Sequence, residues 1–260
     1  MLDQAIRQGQ PFNVEKHLSR LRKARQEAVE WRNHEEEDLL ACAMSQLPQS
    51  RQRSVGRAIL KTSKVKASSW LSTLPLQKHN YDLTACEFRD ALAIHYKREP
   101  VEMPASCDGC GHPSFTPDHA LNCKTGGLVT RRHNEIRDLI GELMTSAWGN
   151  CIKEPIIVEA SETNPGLRGD LACRGVWERQ RVALFDVRVS DTDAPSYANR
   201  TVAAVLASAE EEKKRKYLPA CEERHASFTP LVCSVDGLFA PQMVAFTLLQ
   251  IHRNSIFSYS

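Results

Sequence analysis

Two short apolar segments, RGDLAC at residues 168–173 and VALFDVRV at residues 182–189, decide the fold. Each has the length and the flanking turn residues of a β-strand, and each carries one carboxylate, Asp170 in the first and Asp186 in the second. A buried carboxylate without a partner is costly, so two of them in neighbouring strands indicate a shared divalent cation. Carboxylate ligands suit Mg²⁺ or Mn²⁺. The two segments therefore predict a metal site between adjacent strands.

The alternation of side chains along a strand places Asp186 and Arg188 on one face of the sheet. The opposite face then carries apolar side chains, those of Phe185, Val187 and Val189. A second interpretation stays open, in which Asp170 and Asp186 are edge-strand acids that form ion pairs with Arg168 and Arg188. The pattern within the strands does not choose between the two.

The segments around these strands alternate between helical and strand patterns. Apolar residues at helical spacing predict one helix over residues 130–148 and another over residues 197–217. Further strands are predicted at residues 155–159 and 228–235, and an apolar segment at residues 242–251 is expected to form a last helix. This order, α-β-β-β-α-β followed by a helix, predicts an α/β (α+β) fold in which a mixed sheet is flanked by helices.

The predicted helix over residues 197–217 directs lysines towards the two acids. Its apolar stripe continues through Lys213, Lys216 and Tyr217, so these side chains are expected to face the sheet. A lysine beside metal-bound carboxylates stabilises the charge of a pentacovalent phosphate or orients the attacking water. We therefore take Lys213 and Lys216 as candidate catalytic residues.

The predicted helix over residues 130–148 offers a third carboxylate. Its apolar face is expected to consist of Ile136, Leu139, Ile140 and Leu143. A flanking polar stripe carries Glu135, Asp138 and Glu142, each of which is surface charge in the alternative interpretation. Among these acids we favour Glu135, near the N-terminal end of the helix, as the third metal ligand.

A compact array of three cysteines and one histidine precedes these elements. Cys107, Cys110, His119 and Cys123 follow the spacing C-x2-C-x8-H-x3-C, which suits tetrahedral zinc. The first two sulfurs share one tight turn, and the last two ligands lie one helical turn apart. Four protein ligands leave no open coordination position, so the Zn²⁺ is expected to be structural. His112, in the same loop, is a rival ligand.

Composition sets the outer limits on the class of protein. The 260 residues are 42% hydrophobic and include 34 basic and 32 acidic residues, which excludes collagen-like, low-complexity and fully disordered chains. This length predicts one large domain or a core with satellites. No apolar run reaches membrane-spanning length and no signal-peptide pattern opens the chain, so neither a membrane partner nor secretion is expected.

The part of the chain before the cysteines, residues 1–99, is expected to be a helical extension. A long charged helix is predicted over residues 13–47, and an amphipathic helix over residues 83–94. Between them, residues 51–66 contain six basic residues and no acidic ones: Arg51, Arg53, Arg57, Lys61, Lys64 and Lys66. Such a stretch can neutralise nucleic-acid phosphates, and a solvated linker is the alternative.

From residue 68 onward, about three-quarters of the chain resembles a known family. This family is the C-terminal region of non-LTR retrotransposon polyproteins that carry a restriction-like endonuclease of the PD-(D/E)XK class. Its CCHC zinc knuckle is matched by the cysteine and histidine array, and the Arg-His pair that follows the knuckle by Arg132 and His133. Its lysine signature, K-x-x-K-Y, is present as Lys213, Lys216 and Tyr217.

The acidic motifs of the family are matched with one departure. The family's Pro-Asp corresponds to Gly169-Asp170 and its second acid to Asp186. Arg188 stands where the third position of the (D/E)XK tripeptide would have lysine. The resemblance therefore implies that Lys213 or Lys216 takes over the lysine role, a migration found in this class.

Beyond the helical N-terminal extension that the sequence pattern predicts over residues 1–99, the resemblance implies a CCHC zinc knuckle over residues 100–128 and a restriction-like endonuclease over residues 129–260. The stretch after Gly237 is expected to be an incomplete or replaced C-terminus. No Tyr-x-Asp-Asp occurs, so reverse transcriptase is expected to act from elsewhere, in cis or in trans. The chain then looks like a detached endonuclease module.

The function that the resemblance implies is metal-dependent nicking of target DNA, which supplies a 3′-hydroxyl primer for reverse transcription. Asp170 and Asp186, helped by the Val187 carbonyl and by Glu135, would hold Mg²⁺ or Mn²⁺, and Zn²⁺ would be structural. The implied partners are target DNA and the element's RNA. The implied location is the nucleus, or the cytoplasm before import.

Two other functions stay open at this stage. In the first, the chain is a non-catalytic nucleic-acid-binding remnant of a retroelement, with an intact zinc knuckle and an inactive nuclease site. In the second and weaker one, Cys151 or Cys173 is a nucleophile with His133 or His225 as its base. Nothing in the sequence orders such a dyad, and buried cysteines are more commonly apolar packing residues.

Overall fold

The computed structural model describes residues 14–49, 52, 55–56, 69–77 and 82–257. The chain divides into two compact units, Met1–Arg57 and Ala58–Ser260. The expected borders at residues 99 and 128 both fall inside the second unit and stay predictions. The six basic residues of the stretch 51–66 lie outside the described residues. Among the helices of the described part, none is long and apolar enough to cross a membrane.

The first unit contains the long charged helix that the sequence predicts. Helix α1 runs over Val14–Ser45, and charged and amide side chains one turn apart stabilise it, for example Lys23 with Glu27 at 3.7 Å. Most of the larger apolar side chains whose burial the structure describes on this helix are exposed, and Trp31 keeps 67% of its surface in solvent. The helix therefore gains little from apolar burial within its own unit.

The second unit begins with short helices. A 3-10 helix, Ser69–Ser72, precedes α2, Ala85–His95, whose start is fixed by a capping box between Thr84 and Glu87. Lys97, just after α2, forms ion pairs with Asp193 at 2.7 Å and with Asp236 at 3.8 Å. These ion pairs tie the end of α2 to loops of the central sheet.

The rest of the second unit is a mixed sheet flanked by helices, as predicted. The helices are α3, Pro117–Asn122, α4, Leu128–Trp148, α5, Val202–Glu223, and α6, Pro241–Phe257. The strands are β1, Cys151–Lys153, β2, Ile156–Val158, β3, Leu167–Arg168, β4, Leu171–Arg174, β5, Val182–Ser190, and β6, Ser227–Ser234. A 3-10 helix, Pro195–Tyr197, lies between β5 and α5.

The main sheet has the strand order β1-β4-β5-β6. Strands β1, β4 and β5 pair antiparallel, whereas β5 and β6 pair parallel through the α5 crossover. Strands β2 and β3 form a separate antiparallel pair. The central position of β5 explains its near-continuous apolar sequence, because both of its edges and both of its faces are covered.

Side-chain alternation along β5 is as predicted. Phe185 and Val187 pack on one face of the sheet in a core that includes Met144 of α4 and Phe246 of α6. Leu184 packs on the opposite face, where α5 lies. Asp186 and Arg188 also lie on the α5 face, where each reaches a partner on that helix. The arrangement puts both charged side chains of β5 against the predicted lysine helix.

The segment 168–173 differs from its predicted form, because it is two strands rather than one. Arg168 pairs with Ile156 in the small sheet, whereas Leu171 pairs with Phe185 in the main sheet. The chain crosses between the sheets at Gly169 and Asp170, and the Gly169 N–H donates to the Pro155 carbonyl at 3.0 Å. This crossing sets Asp170 at the start of β4. Strand β1 was absent from the predicted elements.

Candidate functional site

The predicted zinc ligands converge on one point. The donor atoms of Cys107, Cys110, His119 and Cys123 all lie within 4.8 Å of one another. The Sγ atoms of Cys107 and Cys123 are 3.8 Å apart. A tetrahedron with Zn–S bonds of about 2.3 Å has S–S edges of about 3.8 Å, so the cysteine and histidine cluster can bind a metal such as zinc. Within the described ranges, it is the only group of three or more Cys, His, Asp and Glu side chains gathered so closely.

Local backbone structure brings these ligands together. The Gly111 N–H donates to the Cys107 carbonyl at 2.8 Å, which closes the turn that carries the first two cysteines. The backbone N–H of Cys110 lowers the pKa of Cys107 to about 6, against the effect of burial, and so favours the thiolate that a metal needs. The Cys123 N–H donates to the His119 carbonyl at 2.8 Å, which confirms the predicted helical turn between the last two ligands.

His112, the rival ligand, has another role. Its Nδ1 accepts a hydrogen bond from the Ser114 N–H at 3.2 Å, and its ring stacks on that of His119 with centroids 5.1 Å apart. His119, not His112, belongs to the group of four converging side chains. His112 therefore supports the orientation of the ligand next to it.

A glycine contact at the cluster leads to a stability prediction. A Cβ on Gly109 would lie 2.6 Å from the Thr125 carbonyl oxygen, a backbone atom that cannot move aside easily. We expect Gly109→Ala to cost about 1–3 kcal/mol of unfolding free energy and to weaken zinc binding. Thermal unfolding and a zinc-competition titration measure the two effects. Ser114→Ala, an exposed position in the same loop, is the control, and equal behaviour of the two variants would contradict the prediction.

The second group of interest forms around Asp170. Its Oδ2 accepts the backbone N–H of Val187 at 2.6 Å, and its Oδ1 lies 3.2 Å from Nε2 of His133 on α4. Burial alone would raise the pKa of Asp170, but the hydrogen bonds from His133 and Val187 reverse this and lower it. Lys213 adds to the lowering. Asp170 is thus a carboxylate at neutral pH and is held in one orientation.

Asp186 lies beside this group and pairs with the predicted lysine. Its Oδ2 is 2.5 Å from Nζ of Lys213, and its side chain is only 5% exposed. Tyr217 lies one turn further along α5 than Lys213, and its ring stacks on that of Phe228 in β6. Burial and a hydrogen bond with Asp186 raise the pKa of Tyr217. The charge of Lys213 also contributes to the lowered pKa of Asp170, although, of the two acids, Lys213 contacts only Asp186. The structure therefore brings together Asp170, Asp186, Lys213 and Tyr217.

Lys213 lines a cleft between the N-terminal end of α4, the strand β5 and α5. Its volume is about 460 Å³. The polar side chains that line it are mostly basic: Arg132, His133, Arg188, Lys213 and Lys216, with Thr130 and Glu212. Lys216 stands over the Tyr217 ring, with Nζ 4.7 Å from the centroid, and Arg188 is paired with Glu212. The lining of the cleft is thus mostly basic, and two of its side chains contact the acids: Lys213 contacts Asp186, and His133 contacts Asp170.

Glu135, the favoured third carboxylate, is not brought to this group. Its side chain is 63% exposed and pairs with Arg131 at 2.8 Å. Asp138 is likewise engaged elsewhere, by Arg137 and Lys153. The residue that α4 presents to Asp170 is His133.

The sequence contains a signal for His133 that the predicted helix face obscured. The buried face of α4 is formed by Ile140, Met144 and Ala147, whereas Leu139 and Leu143 are exposed. His133 precedes Ile140 by two turns and therefore lies on the buried face. The buried face of α4 is therefore rotated about the helix axis relative to the predicted face. As a result His133, and not Glu135, reaches Asp170.

The cysteines considered as nucleophiles lack the required surroundings. Burial raises the pKa of Cys151 to about 11 and also raises that of Cys173, so both are thiols at neutral pH. The Sγ of Cys151 contacts the sulfur of Met144 at 3.8 Å. His133, one candidate base, is engaged by Asp170. Cys151 and Cys173 therefore have the character of packing residues.

Comparison with known proteins adds no family to this geometry. A scan of protein-family models found no match to the chain. A search of curated proteins found no match either. What the site can do chemically follows from its own residues: a cysteine and histidine cluster suited to zinc, and a basic cleft whose Lys213 and His133 contact Asp186 and Asp170.

Proposed function

We propose that the chain is a metal-dependent DNA endonuclease with a PD-(D/E)XK-like core, similar to the restriction-like nucleases of non-LTR retrotransposons. The observation that supports this most is that two side chains of a basic cleft contact acids of neighbouring strands, Lys213 with Asp186 and His133 with Asp170. Asp170 immediately precedes β4, whereas Asp186 lies on β5 and Lys213 on α5. Anionic and cationic side chains at one cleft suit a phosphodiester, whose hydrolysis needs both a metal site and charge neutralisation.

In this proposal Asp170 and Asp186, together with the Val187 carbonyl, would hold Mg²⁺ or Mn²⁺. Such an ion would supply activation of water and neutralisation of charge on the scissile phosphate. The low pKa of Asp170 keeps its carboxylate available, and His133 and the Val187 N–H orient it. Lys213, which forms an ion pair with Asp186, is the proposed electrostatic partner of the phosphate.

The remaining basic side chains of the cleft bind the DNA backbone. Lys216, Arg132 and Arg188 line the cleft without taking part in the carboxylate group itself. Their charges favour a polyanion over a small neutral substrate. The cysteine and histidine cluster and the basic stretch 51–66 are proposed as further nucleic-acid contacts, with target DNA and element RNA as partners and the nucleus as the location.

The test of this function is a nicking assay on supercoiled plasmid in Mg²⁺, with EDTA and Ca²⁺ as controls. We expect open-circular product in Mg²⁺ only, since Ca²⁺ coordinates at longer distances and less rigidly. The nick should end in a 3′-hydroxyl, so that a DNA polymerase extends it with labelled nucleotides. A nick that the polymerase cannot extend would rule out a priming role even if cleavage occurs.

A second function, a non-catalytic nucleic-acid-binding remnant, is favoured by one observation. The Asp186 carboxylate forms an ion pair with Lys213, with Oδ2 and Nζ 2.5 Å apart, so a cation already compensates its charge. Such a pair can be structural rather than catalytic. The remnant predicts equal DNA affinity with and without Mg²⁺ and no cleavage, whereas the endonuclease predicts cleavage in Mg²⁺.

A further inference from the structure

Two ion pairs of opposite polarity join strand β5 to helix α5 at the cleft. Asp186 of β5 pairs with Lys213. Arg188, two residues further along the same face of β5, pairs with Glu212, with Nη1 and Oε2 2.5 Å apart. Among the described residues that line the cleft, Glu212 is the only acidic one. The one acid of the lining therefore compensates one of its arginines.

The two ion pairs differ in how easily they open. In the first pair the Asp186 side chain is only 5% exposed, whereas in the second pair the Glu212 side chain is 64% exposed. An exposed ion pair contributes little to stability because water competes for its partners, and opening a buried one is costly. Glu212 can therefore leave Arg188 for solvent at little cost, while the pair of Asp186 and Lys213 resists opening.

Arg188 can bind a phosphate once Glu212 leaves it. Its side chain lines the cleft together with those of Arg132, Lys213 and Lys216. A carboxylate and a phosphate both accept hydrogen bonds from the planar N–H groups of a guanidinium, so the two compete for Arg188. Glu212 thus occupies the position of a bound phosphate.

The carboxylate on Arg188 belongs to the protein, and this decides which anions can displace it. The chain holds Glu212 next to Arg188, so the effective concentration of the carboxylate there is high. A small phosphate ion in free solution competes poorly with such a group. A polymer that Lys216 and Arg132 already bind presents its next phosphate to Arg188 at a high effective concentration as well. A polymer can therefore displace Glu212 where a small anion does not.

We propose that Glu212 is a specificity-determining residue of the cleft, which makes Arg188 accessible only to the backbone of a polymeric phosphodiester. In the free protein its carboxylate pairs with Arg188, and in the complex with DNA a backbone phosphate takes its place. The proposal rests on the function proposed above and adds discrimination between DNA and small phosphates. Opening the ion pair lowers the affinity for every anion, but a polymer compensates this through its other contacts.

The first test measures duplex binding in EDTA, where no cleavage occurs, by fluorescence anisotropy over a range of salt concentrations. We expect Glu212→Gln to tighten binding about two- to fivefold and to keep the salt dependence, since no ion pair has to open. Arg188→Gln removes one phosphate contact and should make log K against log salt less steep by about 0.9. Glu211→Gln removes the same charge and is the control, because Glu211 pairs with Lys214 and does not line the cleft. It should bind DNA as the wild type does.

Two further measurements isolate the ion pair. In the Arg188→Gln background, Glu212→Gln should lose most of its gain in affinity, because no pair is left to open, and an equal gain in both backgrounds would contradict the inference. Inorganic phosphate should shift the Arg188 Nε–H resonance, assigned with Arg188→Gln, in Glu212→Gln but not in the wild type at the same concentration. All variants should keep their melting temperatures, since the pair is exposed.

The outcomes separate this inference from the function on which it rests. If Lys216→Ala weakens duplex binding but Glu212→Gln and Glu211→Gln tighten it equally, net charge and not the ion pair decides, which overturns the inference alone. An unchanged salt dependence in Arg188→Gln with a steeper one in Glu212→Gln would mean that Glu212 stays on Arg188 in the complex, and would also overturn it. A phosphate-induced shift of equal size in the wild type would do the same. Absence of duplex binding by the wild type overturns both.

Discussion

Replacement of Lys213 by alanine is expected to lower the rate of Mg²⁺-dependent plasmid nicking by about 10²–10³-fold, the effect of losing one preorganised electrostatic group. Lys213 is the lysine that contacts Asp186 and acts on Asp170. Its neighbour Lys214 provides the matched control, because it pairs with Glu211 at 2.9 Å and does not line the cleft. Lys214→Ala should therefore nick at close to the wild-type rate. Initial rates of open-circle formation, compared at equal protein concentration, measure both.

Folding must be checked in this experiment. Removal of Lys213 leaves the buried Asp186 carboxylate without its partner, and loss of one member of a buried ion pair costs about 3–5 kcal/mol. Thermal unfolding of Lys213→Ala, with and without Mg²⁺, separates a folding defect from a catalytic one. Lys213→Met, which keeps the side-chain volume, is the second variant. Wild-type nicking by both variants, or an equal loss in Lys214→Ala, would contradict the assigned role.

Removal of the metal from the cysteine and histidine cluster is the second change with a large expected effect. Structural zinc in small sites binds with apparent free energies of about 10–16 kcal/mol, and much of this is folding free energy. We expect one zinc ion per chain by elemental analysis. Cys123→Ser should abolish this zinc and lower the melting temperature, whereas Cys86→Ser, an exposed cysteine on α2, should change neither.

The loss of zinc should also weaken DNA binding at the cleft. Asn122, next to the ligand Cys123, donates to Asp191 at 2.7 Å, and Arg132 of the cleft donates to the Leu121 carbonyl at 3.3 Å. Unfolding around the cluster breaks both hydrogen bonds and frees Arg132. We therefore expect weaker DNA binding by the chelated protein, measured as fluorescence anisotropy. Full zinc content in Cys123→Ser, or unchanged stability after chelation, would contradict a structural zinc site.

Much of the fold was predictable because the sequence of β5 is compatible with few structures other than a central strand. A run of eight residues with six apolar side chains, one acid and one arginine suits a central strand. Its alternation correctly places Asp186 and Arg188 opposite Phe185 and Val187. The helical period of α5 likewise directs Lys213 to the sheet. The spacing of the cysteines predicts their convergence, since turn and helix geometry fix the separation of residues that are close in sequence.

Features that depend on contacts between distant segments were not predictable in the same way. The crossing at Gly169 and Asp170 depends on Pro155 and on β5, so no local pattern shows that residues 168–173 are two strands. The rotation of α4 depends on which leucines its neighbours can bury, and it decides between Glu135 and His133.

The most direct measurement of the central claim is Mg²⁺-dependent nicking of supercoiled plasmid by the wild type and by Asp186→Ala. Asp186 is the buried acid that joins β5 to Lys213, and in our account it is a metal ligand. We expect nicking by the wild type and none above background by the variant, with folding verified by circular dichroism and by retention of zinc. Undiminished nicking by Asp186→Ala would contradict the site, and no nicking by the wild type, with DNA binding that ignores Mg²⁺, would favour the remnant instead.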